Sequence, residues 1–438
     1  MSKVNKLRAR HIQMIALGGS IGTGLFFGLG KSIQYTGSSI ILAYMLGGTV
    51  LYIIMRALGE MVVYEPNVGA FSYYANKYVS HYLGFVAGWF AWFEYTIVCM
   101  LELTVSTTFL DHWVIVPHWI VVTVFLGIFF LINIVNVSIF GEFEFYFAGI
   151  KIFAIIMMLL LFIFLFACNQ GMHHSIIDNL HNLHTHMFIN GAIGFCSALT
   201  LVLLSFGGTQ FIGIAAAECE SPHSQVPKAI QAVVVRILFF YVLSVIILFG
   251  LYPMHRIAND TNVFVTVLKA IGLSQSANIM NFVIITTVLS SFNSCLYASG
   301  RMLYSLAQQK HAPKIFSIAN KAGVPQNAIV FTCMIIAVTI LLNYLFPETI
   351  IYYLLSFTIV SIVVTWSTIL ICHLFFRKNH KNLKYRLPLF PYTNIFALVI
   401  LLIILLSMAQ IKYMQVAVYM LPISLGVITC SYLLKRKS

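Results

Sequence analysis

Two glycine-rich stretches interrupt long apolar segments of this sequence, and their backbone groups are well suited to bind a ligand. The first is GGSIGTG from Gly18 to Gly24, and the second is SFGGTQFIG from Ser205 to Gly213. Glycine costs about 1 kcal/mol per residue against alanine in a helix interior, so we expect both stretches to be unwound. Backbone groups freed at membrane depth require a cavity or a ligand to complete their hydrogen bonds.

The freed groups predict a site for a zwitterion. The half-helix that follows the first break offers N–H donors and a positive dipole end, which suit a carboxylate. Carbonyls near Ile15, Ala16, Phe206 and Gly207 suit an ammonium. An α-amino acid carries both groups. The alternative is that the glycines only let helices pack closely, but a packing face places small residues at every fourth position, whereas these are contiguous.

Lys151 is the clearest charge inside an apolar segment, in FAGIKIFAII and seven residues beyond Glu144. A charge at mid-membrane costs about 2.5 to 3.5 kcal/mol, so it requires a reason. One interpretation is a lysine that gains and loses a proton as the protein changes state. The other is a structural ammonium tied to unwound carbonyls or to Glu144, which lies two turns away on the same helix face.

Four further polar residues are candidates for a route through the membrane. Glu94 and Glu102 are eight residues apart and therefore lie roughly on one face of a helix. Each could line a pathway, or could be a hydrogen-bonded glutamic acid between helices. Ser290 and Ser291 fall within another apolar segment, where we expect them to line a coupling region rather than to perform catalysis.

The high hydrophobic and low charged content of the chain indicates that the candidate residues described above lie in a membrane protein. Of the 438 residues, 60% are hydrophobic and 8% are charged, against about a quarter charged in soluble domains. Continuous apolar runs of membrane-spanning length exclude a β-barrel pattern. We expect an all-α polytopic membrane protein with twelve transmembrane helices. Their predicted centres are near Gly22, Leu51, Ile97, Phe125, Ile156, Leu204, Leu243, Thr287, Ala337, Ile362, Leu402 and Pro422.

The positions of the two interruptions predict an inverted repeat. They fall in helices 1 and 6, and paired interruptions in two halves are typical of transporter binding sites. We expect one transmembrane domain over 1–438. The first repeat covers about 12–168 and the second about 190–375, and helices 11 and 12 follow over about 392–435.

Charge and cysteine patterns restrict the alternatives. Most of the 25 Lys and Arg residues fall in alternate loops and at both ends, which predicts a multi-pass inner (plasma) membrane protein with both termini cytoplasmic. This bias also accounts for the net charge of +13 without nucleic acid. The first apolar run lacks a cleavage pattern, so we expect it to remain as helix 1. The eight cysteines are scattered singly, which predicts no metal site.

A cluster of histidines lies between helices 5 and 6, on the predicted outer side. It comprises His173, His174, His181, His184 and His186. Metal binding or pH sensing is conceivable, but only Asp178 adds a carboxylate, and we expect no helix to fix the spacing. We expect a solvated loop.

Several stretches of the sequence carry a resemblance to a known family. They are LRARHIQMIALGGSIGTGLFFGLG, MRALGEM, FGEFEFYFAGIK, SFGGTQFIGIAAAE, PKAI, RILFFYVLS, RMLYSLA and LLNYLFPE. On these stretches the chain resembles, almost end to end, the amino acid transporter (amino acid permease) family of the amino acid/polyamine/organocation superfamily. The resemblance implies a leucine-transporter-like 5+5 inverted-repeat fold with unwound helices 1 and 6, and proton-driven uptake of an amino acid.

The resemblance also implies roles for individual residues. The substrate carboxylate would bind the backbone of the segment Ser20, Ile21, Gly22, Thr23 and Gly24. The amino group would bind carbonyls of helices 1 and 6, where Gly207 and Gly208 lie. Lys151 matches a helix 5 lysine that takes the place of an ion in sodium-coupled relatives. Phe206 resembles the aromatic residue that covers bound substrate.

One residue departs from the family pattern. Many relatives have Glu after GGT in helix 6, whereas this chain has Gln210, which favours a neutral substrate. Because the resemblance implies proton-driven uptake, proton symport is the leading hypothesis, with protons and a neutral amino acid as partners and no cofactor. An amino acid exchanger shares the fold and is the nearest alternative. A non-transporting sensor would usually carry extra soluble domains, and an enzyme would need a nucleophile elbow, metal triad or phosphate loop that the sequence lacks.

Overall fold

The structure is a computed structural model that describes residues 22–26, 28–67, 69–135, 137–167, 176–216, 222–252, 263–270, 272–380, 383 and 385–437. These residues form helices joined by short turns. No strand occurs in these ranges, where the single β-bridge pairs Gly37 with Met187.

The α-helices, numbered in chain order, differ in length from one turn to 35 residues. They are α1 Thr23–Phe26, α2 Gly28–Thr36, α3 Ile40–Tyr64, α4 Ala70–Tyr78, α5 His81–Leu110, α6 His118–Val135, α7 Val137–Ala167, α8 Ile176–His181, α9 Gly191–Ser205, α10 Phe211–Ala215, α11 Pro222–Leu251, α12 Val263–Ala270, α13 Ser274–Gln308, α14 Gln326–Ile336, α15 Val338–Leu345, α16 Ile350–Asn379, α17 Tyr392–Met408 and α18 Gln415–Lys437. Two 3-10 turns, Asn182–His186 and Lys314–Ser317, connect them.

Eight helices in the described part of the chain are long and apolar enough to cross a membrane. They lie at Ile40–Tyr64, His81–Leu110, His118–Val135, Gly141–Ala167, Gln275–Gln308, Gln326–Leu345, Ile350–Asn379 and Gln415–Lys435. Three shorter apolar helices are Gly191–Ser205, Leu238–Leu251 and Tyr392–Met408. This confirms an all-helical polytopic membrane protein.

Burial separates a central group of helices from a lipid-facing one. In the most apolar stretch of α13, 89% of the residues are buried, and in α5 and α16 the share is 78%. The corresponding share in α18 is 6%. Large apolar side chains exposed on α6, α7, α17 and α18 are compatible with hydrocarbon, so this exposure marks the surface that faces lipid.

Local sequence explains where the central helices begin and end. The Ser80 hydroxyl accepts a hydrogen bond from the N–H of Leu83 and so caps the start of α5. After the end of α13, Lys310 adopts the left-handed region at φ 60°. The N–H groups of His311 and Ala312 both return to the carbonyl of Leu306, which closes the last turn.

Candidate functional site

The second glycine-rich stretch is a break between two helices. Helix α9 ends at Ser205, residues 206–210 form turns, and α10 begins at Phe211. Gly208 has φ 84°, a conformation that L side chains rarely adopt. The N–H groups of Phe206 and Gly207 bond to carbonyls of the preceding turn, and those of Phe211 and Ile212 bond to Gly208 and Thr209. The break therefore interrupts the regular helical hydrogen bonds in the middle of an apolar segment.

The first glycine-rich stretch lies against this break where the structure describes it. A Cβ at Gly24 would stand 2.4 Å from Cα and 2.6 Å from N of Ser205. A Cβ at Gly22 would stand 2.6 Å from Oε1 of Glu102 and 2.8 Å from Oγ of Ser291. Close packing is thus one role of these glycines, and it brings the backbone of Gly22–Gly24 next to polar side chains.

Glu102 occupies the hydrogen-bond donors at the start of the first described helix. Its carboxylate accepts the hydroxyl of Thr23 at 2.5 Å and the N–H of Thr23 at 3.4 Å. It also accepts the hydroxyl of Ser291 at 2.9 Å. Glu102 is 4% exposed, so these bonds compensate for much of its lost hydration.

Glu94 lies two helical turns before Glu102 on α5 and faces the second break. Its two carboxylate oxygens accept the amide of Gln210 and the hydroxyl of Thr365, both at 2.6 Å. The indole N–H of Trp366 donates to the Gln210 carbonyl oxygen at 3.3 Å. Glu94 thus connects α5, the break after α9 and helix α16.

Lys151 lies in a third polar group that adjoins the first. Its side chain is fully buried, within electrostatic range of Glu144 and of Glu102. The Glu144 carboxylate accepts the hydroxyl of Ser290 at 2.8 Å and the amide of Asn293 at 3.2 Å. Ser290, which bonds to Glu144, and Ser291, which bonds to Glu102, are consecutive residues of α13. The two carboxylates are therefore linked through neighbouring serines.

These groups surround one small cavity between α5, α13, α16 and the two breaks. Its volume is about 20 Å³, close to the space of a single water molecule. The lining residues are Gly22, Thr23, Gly24, Glu94, Val98, Leu101, Glu102, Leu204, Gly207, Gly208, Phe211, Ser291, Cys295, Thr358 and Ile362. The two carboxylates therefore share a closed space with backbone of both glycine stretches and with an apolar wall.

The cavity collects many of the residues singled out in the sequence. Gly22, Thr23, Gly24, Gly207 and Gly208 line it, as do Glu94, Glu102 and Ser291. Gln210, Ser290 and Lys151 are fully buried but do not line the cavity. Gln210 donates to the lining residue Glu94, Ser290 donates to Glu144 outside the lining, and Lys151 lies within electrostatic range of the lining residue Glu102. The predicted residues Ile15, Ala16, Ser20 and Ile21 lie outside the described residues.

Phe206 has surroundings that its predicted role did not anticipate. It does not line the cavity, and its ring packs against Tyr44 and Tyr241, with centroids 6.0 and 5.7 Å away. Tyr241 also donates a hydrogen bond from its hydroxyl to the carbonyl of Ser205. In this closed conformation Phe206 therefore belongs to an aromatic cluster behind the break.

Several lining residues were missed from the sequence. Thr358 and Ile362 come from α16, and Cys295 comes from α13. Ile362 and Cys295 have no pattern that marks them. Thr358 could have been found, because it shares one face of α16 with Ser361, Thr365 and Thr368. Val98 and Leu101 could have been found, since they fall on the helix face between Glu94 and Glu102.

The histidine cluster is partly helical, which corrects the expected loop. His181 ends α8, and His184 and His186 lie in the following 3-10 turn, so helical structure does fix their spacing. The expectation that no helix fixes the spacing was therefore wrong for these three histidines, although their side chains are exposed to solvent as expected. His173 and His174 lie outside the described residues. Among residues that the structure describes, no three His, Cys, Asp or Glu side chains are grouped to hold a metal ion.

Comparison with known proteins places this site in a family context. The family model described as amino acid permease matches residues 11–438. The aromatic amino acid transport protein AroP of Escherichia coli K12 is 38% identical over 99% of this chain and 95% of its own length. AroP of Salmonella typhimurium LT2 is similar to the same extent. An uncharacterized transporter of Bacillus subtilis 168, YdgF, is 35% identical over 95% of this chain and 92% of its own length.

Proposed function

Because this chain belongs to the amino acid permease family, and is a multi-pass plasma membrane transporter of amino acids rather than an enzyme, we propose that it takes up a neutral amino acid by proton symport. The observation that carries the proposal is the closed cavity in which both glycine breaks meet Glu94 and Glu102. Its backbone and carboxylate groups supply the chemistry that a zwitterion requires, and its remaining wall is apolar.

The substrate carboxylate would bind the backbone of the segment Ser20–Gly24. In the closed cavity Glu102 takes the N–H and hydroxyl of Thr23, the same kind of donors that an incoming carboxylate needs. Substrate binding would therefore displace Glu102 from Thr23. The ammonium would bind carbonyls freed near Ile15, Ala16, Phe206 and Gly207, with Glu94 as a further acceptor on the cavity wall.

The substrate side chain would be neutral and apolar, and aromatic amino acids are the first class to test. Val98, Leu101, Leu204, Phe211 and Ile362 give the cavity an apolar wall. Gln210 is neutral and bonds to Glu94 where many relatives would have Glu, so the second break adds no further carboxylate that would pair with a cationic side chain. The relatives called AroP are named as aromatic amino acid transport proteins.

Proton coupling would use Lys151 and the carboxylates beside it. Lys151 is within electrostatic range of both Glu144 and Glu102, and Ser290 and Ser291 join these carboxylates by hydrogen bonds. Displacement of Glu102 by substrate would change the charge that Lys151 experiences. The protonation of Lys151 would then depend on whether the substrate site is occupied, which is the requirement for symport.

Alternating access would follow from an inverted-repeat architecture. The eight spans, the three shorter apolar helices and the partly described first helix would make twelve, in one domain over 1–438 with both termini cytoplasmic. Repeats over about 12–168 and 190–375 would then rock against each other around the site. The cavity of about 20 Å³ is too small for any amino acid, so entry requires these helices to separate.

A competition assay tests the substrate class. Purified protein in phosphatidylethanolamine and phosphatidylglycerol vesicles is assayed for uptake of labelled phenylalanine against each common amino acid, at two pH values. We expect tyrosine and tryptophan to compete best and neutral aliphatic residues to compete less. Stronger competition by lysine, arginine or aspartate would contradict the neutral apolar site.

The same vesicles separate symport from exchange. Symport predicts uptake into vesicles that contain no amino acid when the external pH is lowered. An obligate exchanger would take up label only after the vesicles have been preloaded with substrate.

A further inference from the structure

A basic groove lies at one end of the helix bundle, away from the closed cavity. It consists of two adjoining cavities of about 970 and 770 Å³ that share Phe85, Gln308, Lys310, His311 and Lys435. The start of α5, the turns after α13 and the end of α18 form its walls. Because all three helices start or stop here, the groove lies near the level of the lipid headgroups rather than of the hydrocarbon.

The charged side chains of the basic groove are all cationic. Lys310, Lys314 and Lys435 line it, and all three are exposed. The hydroxyl of Ser80 adds a hydrogen-bond donor, whereas those of Ser317 and Ser431 already donate to the carbonyls of Lys314 and Val427. No Asp or Glu is among the described residues that line either cavity. Three ammonium groups around one open space favour an anion with several acceptor oxygens.

His311 adds a buried ring nitrogen to this groove, which becomes a donor when it carries the proton. It lines both cavities and is 5% exposed, and its Nδ1 has no hydrogen-bond partner among the described residues. Its Nε2 lies 3.1 Å from Nδ1 of His81. Burial, followed by the adjacent His81 and Lys435, lowers the pKa of His311 to about 4. A buried polar atom without a partner is unusual in a folded protein, and a bound anion would provide one.

A cluster of aromatic side chains packs around the buried ring of Phe85 beside the groove. The ring of Phe85 packs against His311, Trp89 and Tyr432, with centroids 5.4 to 6.3 Å apart. Tyr432 belongs to α18, the helix with the smallest buried share among the candidate spans. Aromatic side chains that combine an apolar body with a polar edge are enriched at the membrane interface.

We propose that the basic groove binds the phosphate-bearing headgroup of an anionic phospholipid. Lys310, Lys314 and Lys435 would bind the phosphate oxygens, and the partly exposed Trp89 and Tyr432 rings would contact the glycerol and upper acyl chains. One wall of the groove comes from α18, the least buried of the candidate spans, which favours a lipid over a soluble anion because a lipid reaches this helix without leaving the bilayer. This site is independent of the amino acid cavity and goes beyond the proposed transport reaction.

Native mass spectrometry of the full chain tests the proposal. Protein released from nanodiscs of equal phosphatidylglycerol and phosphatidylcholine should retain phosphatidylglycerol selectively. Each lysine beside an anionic headgroup contributes about a fivefold factor to affinity. The variant Lys310→Gln/Lys314→Gln/Lys435→Gln should therefore bind phosphatidylglycerol roughly 100-fold more weakly.

A second triple variant provides the matched control. Lys228, Lys321 and Lys378 are also exposed and do not line the groove, so their change to glutamine removes the same charge elsewhere. The control should retain phosphatidylglycerol like the unmodified chain. Equal losses in both variants, or equal retention of phosphatidylcholine, would overturn the proposal.

Photocrosslinking locates the lipid without any substitution. A phosphatidylglycerol with a photoreactive headgroup should label peptides that contain residues 308–317 or 431–435. Labelling confined to other peptides would overturn the proposal. An excess of inorganic phosphate should leave the labelling unchanged, and loss of labelling would show an ion site rather than a lipid site.

Discussion

The Glu102 carboxylate accepts two hydrogen bonds from Thr23, one from its hydroxyl at 2.5 Å and one from its backbone N–H at 3.4 Å. Thr23 begins the first described helix, beside the glycine break that the sequence assigns to a substrate carboxylate. A side chain of the protein thus occupies donors that a ligand would need. In the proposed mechanism, Glu102 keeps the cavity closed until an amino acid replaces it.

Glu102→Gln should therefore strengthen amino acid binding. The amide keeps the size of the side chain, but it accepts weaker hydrogen bonds than a carboxylate and does not repel the substrate carboxylate. The difference between charged and neutral hydrogen bonds is about 1 kcal/mol, or roughly a fivefold lower Kd. Isothermal titration with phenylalanine at pH 7 measures it. The exposed Glu348→Gln is the control and should leave Kd unchanged, and weaker binding by Glu102→Gln would contradict competition for Thr23.

Gly24→Ala should abolish uptake, because its Cβ would meet backbone. The Cβ would stand 2.4 Å from Cα of Ser205, at the end of α9, where no side chain can rotate away. Overpacking of this kind costs about 1 to 3 kcal/mol. Labelled uptake and thermal unfolding in detergent measure both effects. Gly127→Ala is the control, because its Cβ would meet nothing within 4 Å. If Gly24→Ala had the same uptake and thermal stability as Gly127→Ala, a close approach of the two breaks would be excluded.

Glu60→Gln should cause a large loss of stability. The Glu60 carboxylate lies 2.8 Å from Nη1 of Arg377 and 3.1 Å from Nε2 of His373, and it accepts the N–H of Leu387 at 2.8 Å. Removing one partner of a buried ion pair leaves the other uncompensated and costs about 3 to 5 kcal/mol. Thermal unfolding of the purified variant in detergent measures the loss. A loss of stability smaller than that of the surface variant Glu65→Gln would show that Arg377 finds another partner.

Glu65→Gln is the surface control for that change. Glu65 pairs with Lys77, and both side chains are partly exposed, so the pair contributes about 0 to 1 kcal/mol. Partial burial opposes ionisation, but hydrogen bonds from Lys77 and Tyr73 outweigh it, and the pKa of Glu65 is lowered. Its contribution is therefore present at neutral pH and is lost as pH falls through the lowered pKa. The small difference between Glu65→Gln and the unmodified chain should vanish in acid, and a difference that grows in acid would contradict this sign.

Much of the site could be predicted from the sequence because its signals are local. The glycines of SFGGTQFIG predict a break, and the structure shows one after Ser205. Glycine pairing alone is not sufficient, since Gly47 and Gly48 lie within the continuous helix α3. The spacing of Glu94 and Glu102 places both on one helix face, and both line the cavity. The isolated charge of Lys151 marks a buried group near Glu144, and the structure places it there.

The remaining features depend on contacts between distant helices. The bonds of Glu102 to Thr23 and of Glu94 to Thr365 join residues 79 and 271 positions apart, and no periodicity encodes such pairs. The sequence gives no reason to select Ile362 for the cavity, whereas Thr358 shares one face of α16 with Ser361, Thr365 and Thr368, a polar stripe that marks the buried side of this helix. The basic groove could not be predicted for the same reason, because its lysines come from two separate segments of the chain.

Accumulation of labelled phenylalanine under an imposed pH gradient tests the central claim most directly. Vesicles that contain the unmodified chain should concentrate the label when the outside is made acidic, and a protonophore should abolish this. Lys151→Ala should still exchange label with preloaded phenylalanine but should no longer accumulate it, while the exposed-site control Lys269→Ala should accumulate normally. Equal accumulation by Lys151→Ala and the unmodified chain, or no response of the unmodified chain to the gradient, would contradict proton symport through Lys151.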